Sequence, residues 1–119
     1  MSFGVMGGDM QPQGHVQVIT NILDFNMDIQ AAGDAPRWRH DGSTEPTDNV
    51  GESLADGGEL ILEPGFPDTL IQALRQRGHR VSIETESQDF GGYQAIMCDD
   101  NGGYLGASEC RKDGCALGY

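Results

Sequence analysis

A glycine pair between a short apolar run and an amphipathic segment constrains the fold of this chain more than any other feature. Residues 3–6 predict a strand that ends at Gly7-Gly8, and the spacing of the apolar residues that follow predicts a helix from about Pro12 to Phe25. Glycines at such a corner allow positive φ angles and bring bare backbone N–H groups close to whatever lies above them. The corner is therefore either a tight turn or a cradle for an anion or oxyanion.

Local signals divide the rest of the chain into helices and strands. A second helix is predicted from Asp28, as its N-cap, to about Asp34, and a third begins at Pro67 and ends before Gly78. The polar segment 41–58 is predicted to be a mobile surface loop. Further strands are predicted at residues 37–40 (an edge strand), 59–63, 80–84, 93–98 and 103–107, with a hairpin turn at 99–103.

These elements predict a single domain over residues 1–119, of the α/β (α+β) class, with helices packed on antiparallel strands. Trp38 is expected to be buried between the surface residues Arg37 and Arg39. The first helix is expected to bury one apolar stripe: Val16, Ile19, Ile22 and Leu23. The third helix is expected to bury another: Phe66, Leu70, Ile71 and Leu74.

The composition of the chain excludes several classes of function. The formal net charge is −12, with 19 acidic and 7 basic residues, so no basic stripe could replace the counterions of a nucleic acid. No apolar run is long enough to span a bilayer and no signal peptide opens the chain, so no membrane partner is predicted. The apolar fraction, 37%, is low for a globular domain. It indicates either a marginally stable domain or a chain that packs against another polypeptide, and we prefer the second.

Cysteine and histidine form no metal-binding pattern. The chain contains no Cys-x-x-Cys, and its cysteines and histidines are scattered: Cys98, Cys110, Cys115, His15, His40 and His79. We therefore predict neither a closed zinc site nor any other metal, and no organic cofactor is implied. Three reduced thiols are expected, and a Cys110–Cys115 disulfide stays open as the alternative.

Several motifs follow the glycine corner in a fixed order. The corner reads Gly4-Val5-Met6-Gly7-Gly8, and the segment before the edge strand reads Asp34-Ala35-Pro36-Arg37-Trp38. The others are Ile22-Leu23-Asp24-Phe25-Asn26-Met27, Leu62-Glu63-Pro64-Gly65-Phe66, residues 74–79, residues 102–108 and the final Gly118-Tyr119. Each motif alone is weak, but their order over nearly the whole chain resembles the gamma-glutamyltranspeptidase family of N-terminal nucleophile hydrolases. Glu109-Cys110 departs from the resemblance, because relatives usually have Asp-Pro there.

The resemblance implies the C-terminal part of the small subunit of such an enzyme, within an αββα sandwich. In this family a precursor cleaves itself, and the Thr freed at the new N-terminus is the nucleophile, well upstream of the glycine corner. Gly7 and Gly8 would form the oxyanion hole and contact the substrate. No threonine of this chain has the nucleophile's sequence context: Thr20, Thr44, Thr47, Thr69 and Thr85. The chain by itself is therefore expected to be inactive.

Two residues near the corner have competing interpretations. Asp9 could contact a substrate ammonium, or it could simply lie favourably at the start of a helix, which we prefer. His15 could be a general base, but the superfamily uses the α-amino group of its nucleophile for that task. His15 is therefore expected to be structural or to lie at an interface.

The resemblance implies a small-molecule gamma-glutamyl amide as substrate and the remainder of the precursor as partner. A dicarboxylic acyl amide, as in the cephalosporin acylases of the family, is the alternative substrate class. A non-catalytic, partner-binding domain is the alternative outside enzymes, supported by the initial Met1 and the absence of a nucleophile. A fragment of this kind would expose apolar faces and sheet edges, so self-association is predicted.

Overall fold

The computed structural model describes residues 1–42 and 57–118, which form three α-helices and six strands in two sheets. In chain order the elements are β1 (Ser2–Met6), α1 (Met10–Leu23), α2 (Ile29–Asp34), β2 (Trp38–Asp41), β3 (Glu59–Leu62), α3 (Asp68–Gln76), β4 (Val81–Ile83), a 3₁₀ turn (Ser87–Phe90), β5 (Gly92–Cys98) and β6 (Tyr104–Ser108). This order is the predicted one. Asp41 belongs to β2, and residues 43–56 of the predicted loop lie outside the described residues.

The first sheet has the strand order β1-β5-β6 and is antiparallel throughout. Val5 lies opposite Tyr93, and Ala95 lies opposite Ala107. Helices α1 and α2 pack against this sheet. Their contact buries one hydrophobic cluster, formed by Val5, Val18, Ile29, Ala32, Tyr93, Ala95 and Ala107. The helices therefore cover the sheet as the layered prediction requires.

The second sheet has the strand order β2-β3-β4 and contains one parallel pair. Strands β2 and β3 are antiparallel, with Arg39 opposite Ile61, whereas β3 and β4 are parallel, with Leu60 opposite Val81. The parallel pair follows from the connection, because α3 carries the chain back across the sheet between β3 and β4. As predicted, β2 is an edge strand.

The local signals for turns and caps are confirmed. The carboxylate of Asp28 accepts a hydrogen bond of 2.7 Å from the N–H of Ala31 at the start of α2. Gly78 follows α3 with a φ of +92°, as a residue at this position of a helix end often does. In the β5–β6 turn, Asp99 accepts hydrogen bonds of 2.8 Å from the N–H groups of Asn101 and Gly103.

The buried faces of the helices differ from the prediction. Val16 and Leu23 are 64% and 69% exposed, whereas the buried residues of α1 are Met10, Gly14, Gln17 and Val18. In α3 only Ile71 is buried, and Leu70 is exposed. Apolar spacing identifies the helices but does not determine which side of each one meets a sheet, because a polar side chain can be buried where it finds hydrogen-bond partners.

Candidate active-site corner and its supports

The glycine corner joins the end of β1 to the start of α1. Gly7 and Gly8 both have positive φ, +143° and +57°. Their carbonyl groups accept hydrogen bonds from the first turn of the helix, from Met10 N–H at 3.1 Å and from Gln11 N–H at 3.0 Å. Within residues 1–42 and 57–118, the N–H groups of Gly7 and Gly8 have no hydrogen-bond partner. The corner thus uses its acceptors internally and leaves its donors available.

Gly7 and Gly8 line a cavity of about 960 Å³. Gly7, Gly8 and Asp9 are exposed there, and Asp9 directly precedes α1 without capping any N–H of the helix. The structure thus brings the three predicted site residues together on one wall. The rest of the lining comes from α1, from the end of β2 and from the 3₁₀ turn: Met10, Pro12, Gln13, Arg39, His40, Asp41, Gly42 and Asp89.

Arg39 is the basic residue of the cavity lining among the described residues, and carboxylates surround it. Its guanidinium lies 3.2 Å from Asp41, 3.2 Å from Glu84 and 3.5 Å from Asp89. Its Cζ also lies 5.4 Å from the centre of the Phe90 ring, within cation–π range. The ion pairs and the aromatic face hold this side chain between the second sheet and the 3₁₀ turn.

The predicted environments of Trp38 and Arg37 are reversed in the structure. Trp38 is 38% exposed, whereas Arg37 is only 2% exposed. The guanidinium of Arg37 donates hydrogen bonds to the carbonyl groups of Phe90 (2.8 Å), Gly91 (2.9 Å) and Gly33 (3.1 Å). Three converging carbonyls replace the water that Nη1 and Nη2 lose on burial, while Nε has no hydrogen-bond partner within the described residues.

A second buried arginine, Arg111, joins the two sheets. It makes a two-pronged contact with Glu63, just after β3, at 2.6 and 2.5 Å. It also contacts Glu109, just after β6, at 2.9 Å. Two further bonds of 2.9 Å reach the carbonyl groups of Gly33 and Ala35 at the end of α2. Glu109, which departs from the family motif, thus still supplies a buried carboxylate.

The pKa values of the two arginines shift in opposite directions. Burial and the neighbouring charge of Arg111 lower the pKa of Arg37 below its ordinary value. Burial acts on Arg111 in the same direction, but hydrogen bonds to Glu63 and Glu109 outweigh it and raise the pKa of Arg111. Arg111 is therefore the arginine that the carboxylates hold directly, whereas Arg37 is held by backbone carbonyls.

Two glutamines of α1 bind the outer edge of β2 in a regular pattern. The amide of Gln17 donates to Trp38 O at 2.7 Å and accepts from Trp38 N–H at 2.9 Å. The amide of Gln13 donates to His40 O at 3.1 Å and accepts from His40 N–H at 2.8 Å. Each side chain therefore takes the place that a peptide group of a further strand would occupy.

His15 has the structural role expected of it. Its ring Nε2 accepts a hydrogen bond of 3.1 Å from the N–H of Val5, and its ring packs edge-on against Phe3 at a centroid distance of 5.4 Å. These contacts hold the start of α1 beside β1. They leave the glycine corner, rather than the imidazole, facing the cavity.

The remaining predictions concern thiols, metal sites and membrane spans. Cys98, Cys110 and Cys115 are free and exposed. Over residues 1–42 and 57–118, no cluster of His, Cys, Asp and Glu side chains is grouped to hold a metal ion. None of the helices in this same part of the chain combines the length and apolar character that a bilayer crossing requires.

Sequence reasoning missed the polar groups that support the corner. Gln13 and Gln17 carry a signal that could have been used, because their spacing of four residues puts both on one face of a helix. Glu63 ends the strand predicted at residues 59–63, directly after the apolar run Leu60-Ile61-Leu62, which is an unusual place for a charged residue. Arg111 carries no such signal, because apart from Glu109 its partners Glu63, Gly33 and Ala35 are 48, 78 and 76 residues away in the chain.

Comparison with known proteins agrees with the motifs and with the fold. All of residues 1–119 match the family described as Gamma-glutamyltranspeptidase. The chain is 34% identical over 117 residues to the glutathione hydrolase-like YwrD proenzyme of Bacillus subtilis, covering 98% of this chain and 21% of that protein. It is 31% identical over 121 residues to the oxamate amidohydrolase proenzyme of Klebsiella pneumoniae, covering 100% of this chain and 21% of that protein.

Solved structures give the same result. The crystal structure of cephalosporin acylase from Bacillus halodurans superposes with a TM-score of 0.74 at 41% identity, over 98% of this chain and 20% of that one. The chain belongs to the gamma-glutamyltranspeptidase family, and its fold is that of an N-terminal nucleophile hydrolase. It spans about a fifth of the length of the relatives named above.

Proposed function

We propose that this chain is part of a gamma-glutamyl hydrolase or transferase that acts on glutathione-like amides, with Gly7 and Gly8 as its oxyanion hole. The observation that carries the proposal is the pair of unpartnered N–H groups at the cavity wall, among the described residues. Membership of the gamma-glutamyltranspeptidase family and the glutathione hydrolase-like relative support the substrate class.

The corner would act on the charge that develops during acyl transfer. The hydroxyl of a threonine outside this chain attacks the amide carbonyl carbon, and the α-amino group of that threonine takes the proton and passes it to the leaving amine. The carbonyl oxygen becomes negative, and N–H groups that are already oriented stabilise it without reorganisation. Water or the amino group of an acceptor then takes the acyl group and frees the threonine.

Asp9 is the third residue of the proposed site, and its role is in substrate binding. It lies beside the glycines on the same wall and caps no helix N–H, so its carboxylate is available to a substrate ammonium group. A gamma-glutamyl group carries such an ammonium, which gives the acidic residue a substrate to match. In this proposal Asp9 contributes to binding, whereas the glycines contribute to turnover.

The chain alone is proposed to be inactive and to self-associate, because both the nucleophile and the apolar cover would come from elsewhere in the precursor. Large apolar side chains are exposed on α1, after it, on β4 and on the β5–β6 hairpin: Val16, Leu23, Phe25, Ile83, Ile96 and Leu105. Exposed large apolar side chains of this number favour association when the part of the protein that covers them is missing. A monodisperse monomer by light scattering at micromolar concentration would contradict the self-association.

The test of the oxyanion hole is Gly8→Ala in the full-length protein. A side chain at Gly8 meets no atom within 4 Å, so the substitution acts through the φ of +57° that alanine adopts at a cost. We expect turnover to fall about 10- to 100-fold, less than the roughly 100- to 1,000-fold that follows complete loss of one oxyanion donor, because the N–H is displaced and not removed. Precursor processing should still reach completion, because it happens once per molecule.

Gly78→Ala is the matched control. Gly78 also has a positive φ and open space around it, but it lies at the end of α3, away from the cavity. Turnover of this variant should equal that of the wild type. An unchanged turnover in Gly8→Ala would reject the assignment of the corner.

A dicarboxylic acyl amide is the second candidate substrate, favoured by the 41% identity to a cephalosporin acylase. The two candidates differ by one ammonium group on the acyl chain. Rates of hydrolysis of gamma-glutamyl and glutaryl anilides by the full-length protein separate them. Faster hydrolysis of the gamma-glutamyl anilide supports the first candidate, and faster hydrolysis of the glutaryl anilide supports the second.

A further inference from the structure

Gly91 is in direct backbone contact with the glycine corner. A Cβ atom built on Gly7 would lie 2.9 Å from the Cα of Gly91, and one built on Gly91 would lie 2.5 Å from the carbonyl oxygen of Met6. The two glycine backbones therefore touch without any side chain between them. Because packed backbone has little freedom to move, the position of Gly91 limits where the peptide groups of the corner can lie.

The guanidinium of Arg37 fixes the position of Gly91. One of its nitrogens, Nη1, donates to the carbonyl groups of both Phe90 and Gly91, and the other, Nη2, donates to Gly33 on α2. The side chain thus connects the end of the 3₁₀ turn to α2, which packs on the β1–β5–β6 sheet. Within the described residues it makes no ion pair with a carboxylate, so its charge serves these carbonyls.

Arg37 is itself held in place from the second sheet. Its backbone N–H donates to the Glu63 carboxylate at 2.6 Å, and the same carboxylate receives both prongs of Arg111. A carboxylate with several charge-assisted hydrogen bonds has little freedom to rotate. The sequence of contacts therefore runs from Arg111 through Glu63 to Arg37, and from Arg37 through Gly91 to Gly7.

We propose that Arg37 is a positioning residue. By holding Gly91 in contact with Gly7, it fixes the N–H groups of the corner at the site of the oxyanion. The inference rests on the proposed function of Gly7 and Gly8. Lysine cannot take over this role, because a single ammonium lacks the planar fork that reaches carbonyls on two elements. Turnover should depend on the arginine itself and not merely on a positive charge.

The test compares Arg37→Lys with wild type in the full-length protein, using whichever of the gamma-glutamyl and glutaryl anilides it hydrolyses. We expect kcat to fall about 10- to 100-fold while KM changes less than about threefold, because only charge stabilisation in the transition state is lost. A boronic acid in which boron replaces the carbonyl carbon of the same acyl chain forms a tetrahedral adduct with the nucleophile. Its inhibition constant should rise by the same factor as kcat falls.

Arg75→Lys is the matched control, because this exposed arginine also donates to a backbone carbonyl, Val81 O at 2.9 Å, but lies in the second sheet region. Its kcat should match wild type. If Arg37→Lys does not fold, as judged by circular dichroism, Glu63→Gln replaces it. That variant weakens the support of Arg37, and we expect a smaller loss of kcat, about 3- to 10-fold, again with KM nearly unchanged.

The outcomes separate this inference from the function on which it rests. A folded Arg37→Lys or Glu63→Gln variant that keeps the wild-type kcat overturns the positioning role. So does a variant whose kcat/KM falls only because its KM rises. If Gly8→Ala lowers turnover and the Arg37 variant does not, only the positioning role fails. If Gly8→Ala also has no effect, the oxyanion hole itself is rejected.

Discussion

The two sheets of this chain are held by different means. The β1–β5–β6 sheet shares a continuous apolar core with α1 and α2, centred on Val5, Val18 and Tyr93. In the β2–β3–β4 sheet and α3, burial of apolar side chains is limited to Ile61, Leu62 and Ile71. Hydrogen bonds and ion pairs join the second sheet to the first. The first sheet therefore carries its own hydrophobic stabilisation, whereas the second depends on polar contacts at the junction.

The largest effect is expected from breaking the junction at its buried ion pairs. Arg111→Met leaves the carboxylates of Glu63 and Glu109 buried without their cation. Removing one partner of a buried pair typically costs about 3–5 kcal/mol, because the other charge stays desolvated. We expect a large fall in the urea midpoint of the full-length protein. Arg75→Met, at an exposed helix end, is the control and should change the midpoint little.

If Arg111→Met leaves the urea midpoint unchanged, the second sheet does not depend on the buried ion pairs at the junction. That outcome would mean that the junction contributes no more than an exposed ion pair, and that the second sheet has another source of stability.

A smaller effect is expected from one glutamine of the junction. Gln17→Glu keeps an acceptor for Trp38 N–H but loses the donor to Trp38 O and to Gln13 O. A buried group without its hydrogen bond costs about 1–3 kcal/mol. The fall in the urea midpoint should be partly reversed at acidic pH, where the introduced carboxyl group is protonated and can donate again. Gln72→Glu, on the exposed side of α3, is the control.

Equal midpoints for Gln17→Glu and Gln72→Glu would contradict this expectation. Such a result would show that the amide contacts between α1 and β2 add nothing beyond what solvent supplies.

The smallest effect is expected inside the core of the first sheet. The hydroxyl of Tyr93 is buried and has no hydrogen-bond partner within the described part of the chain. Tyr93→Phe should therefore change stability at neutral pH by less than about 1 kcal/mol. A loss well above that value would show that the hydroxyl is a working part of the core.

The alkaline range gives the same variant a second measurement. Burial raises the pKa of Tyr93 above its ordinary value of 10.0. Above that pH the unfolded chain releases a proton that the folded chain retains, so wild type loses stability as pH rises. Tyr93→Phe should lack this part of the alkaline loss, as measured by urea midpoints between pH 9 and pH 11, a range that spans the ordinary tyrosine pKa of about 10.

Sequence alone predicted the features that depend on neighbouring residues. The cap at Asp28, the helix end at Gly78 and the turn at Asp99 each follow from a side chain or a missing Cβ acting a few positions away. The glycine corner was predicted for the same reason, as a turn that frees backbone N–H groups. Its part in catalysis stays a prediction.

Burial could not be predicted where it depends on distant partners. Arg37 is inside because carbonyls at residues 33, 90 and 91 converge on it, and Gln17 is inside because β2 offers it an unpaired peptide. Hydrophobicity assigned those places to Trp38 and Val16, which are exposed. Side-chain polarity predicts burial only when the partners are known.

The two glutamine contacts require that the spacing of residues along α1 match the spacing of peptide groups along β2. Gln13 and Gln17 are separated by about 6.0 Å along α1, and the two peptides they bind are separated by about 6.6 Å along β2. The repeats agree closely enough for two rungs. A third would pair Asn21 with position 36, which is a proline with no N–H, and Asn21 instead donates to Ala32 O at 3.3 Å. The match between helix and strand thus ends at Pro36, which offers no N–H, and the two rungs that do form hold β2 in place only while α1 is helical.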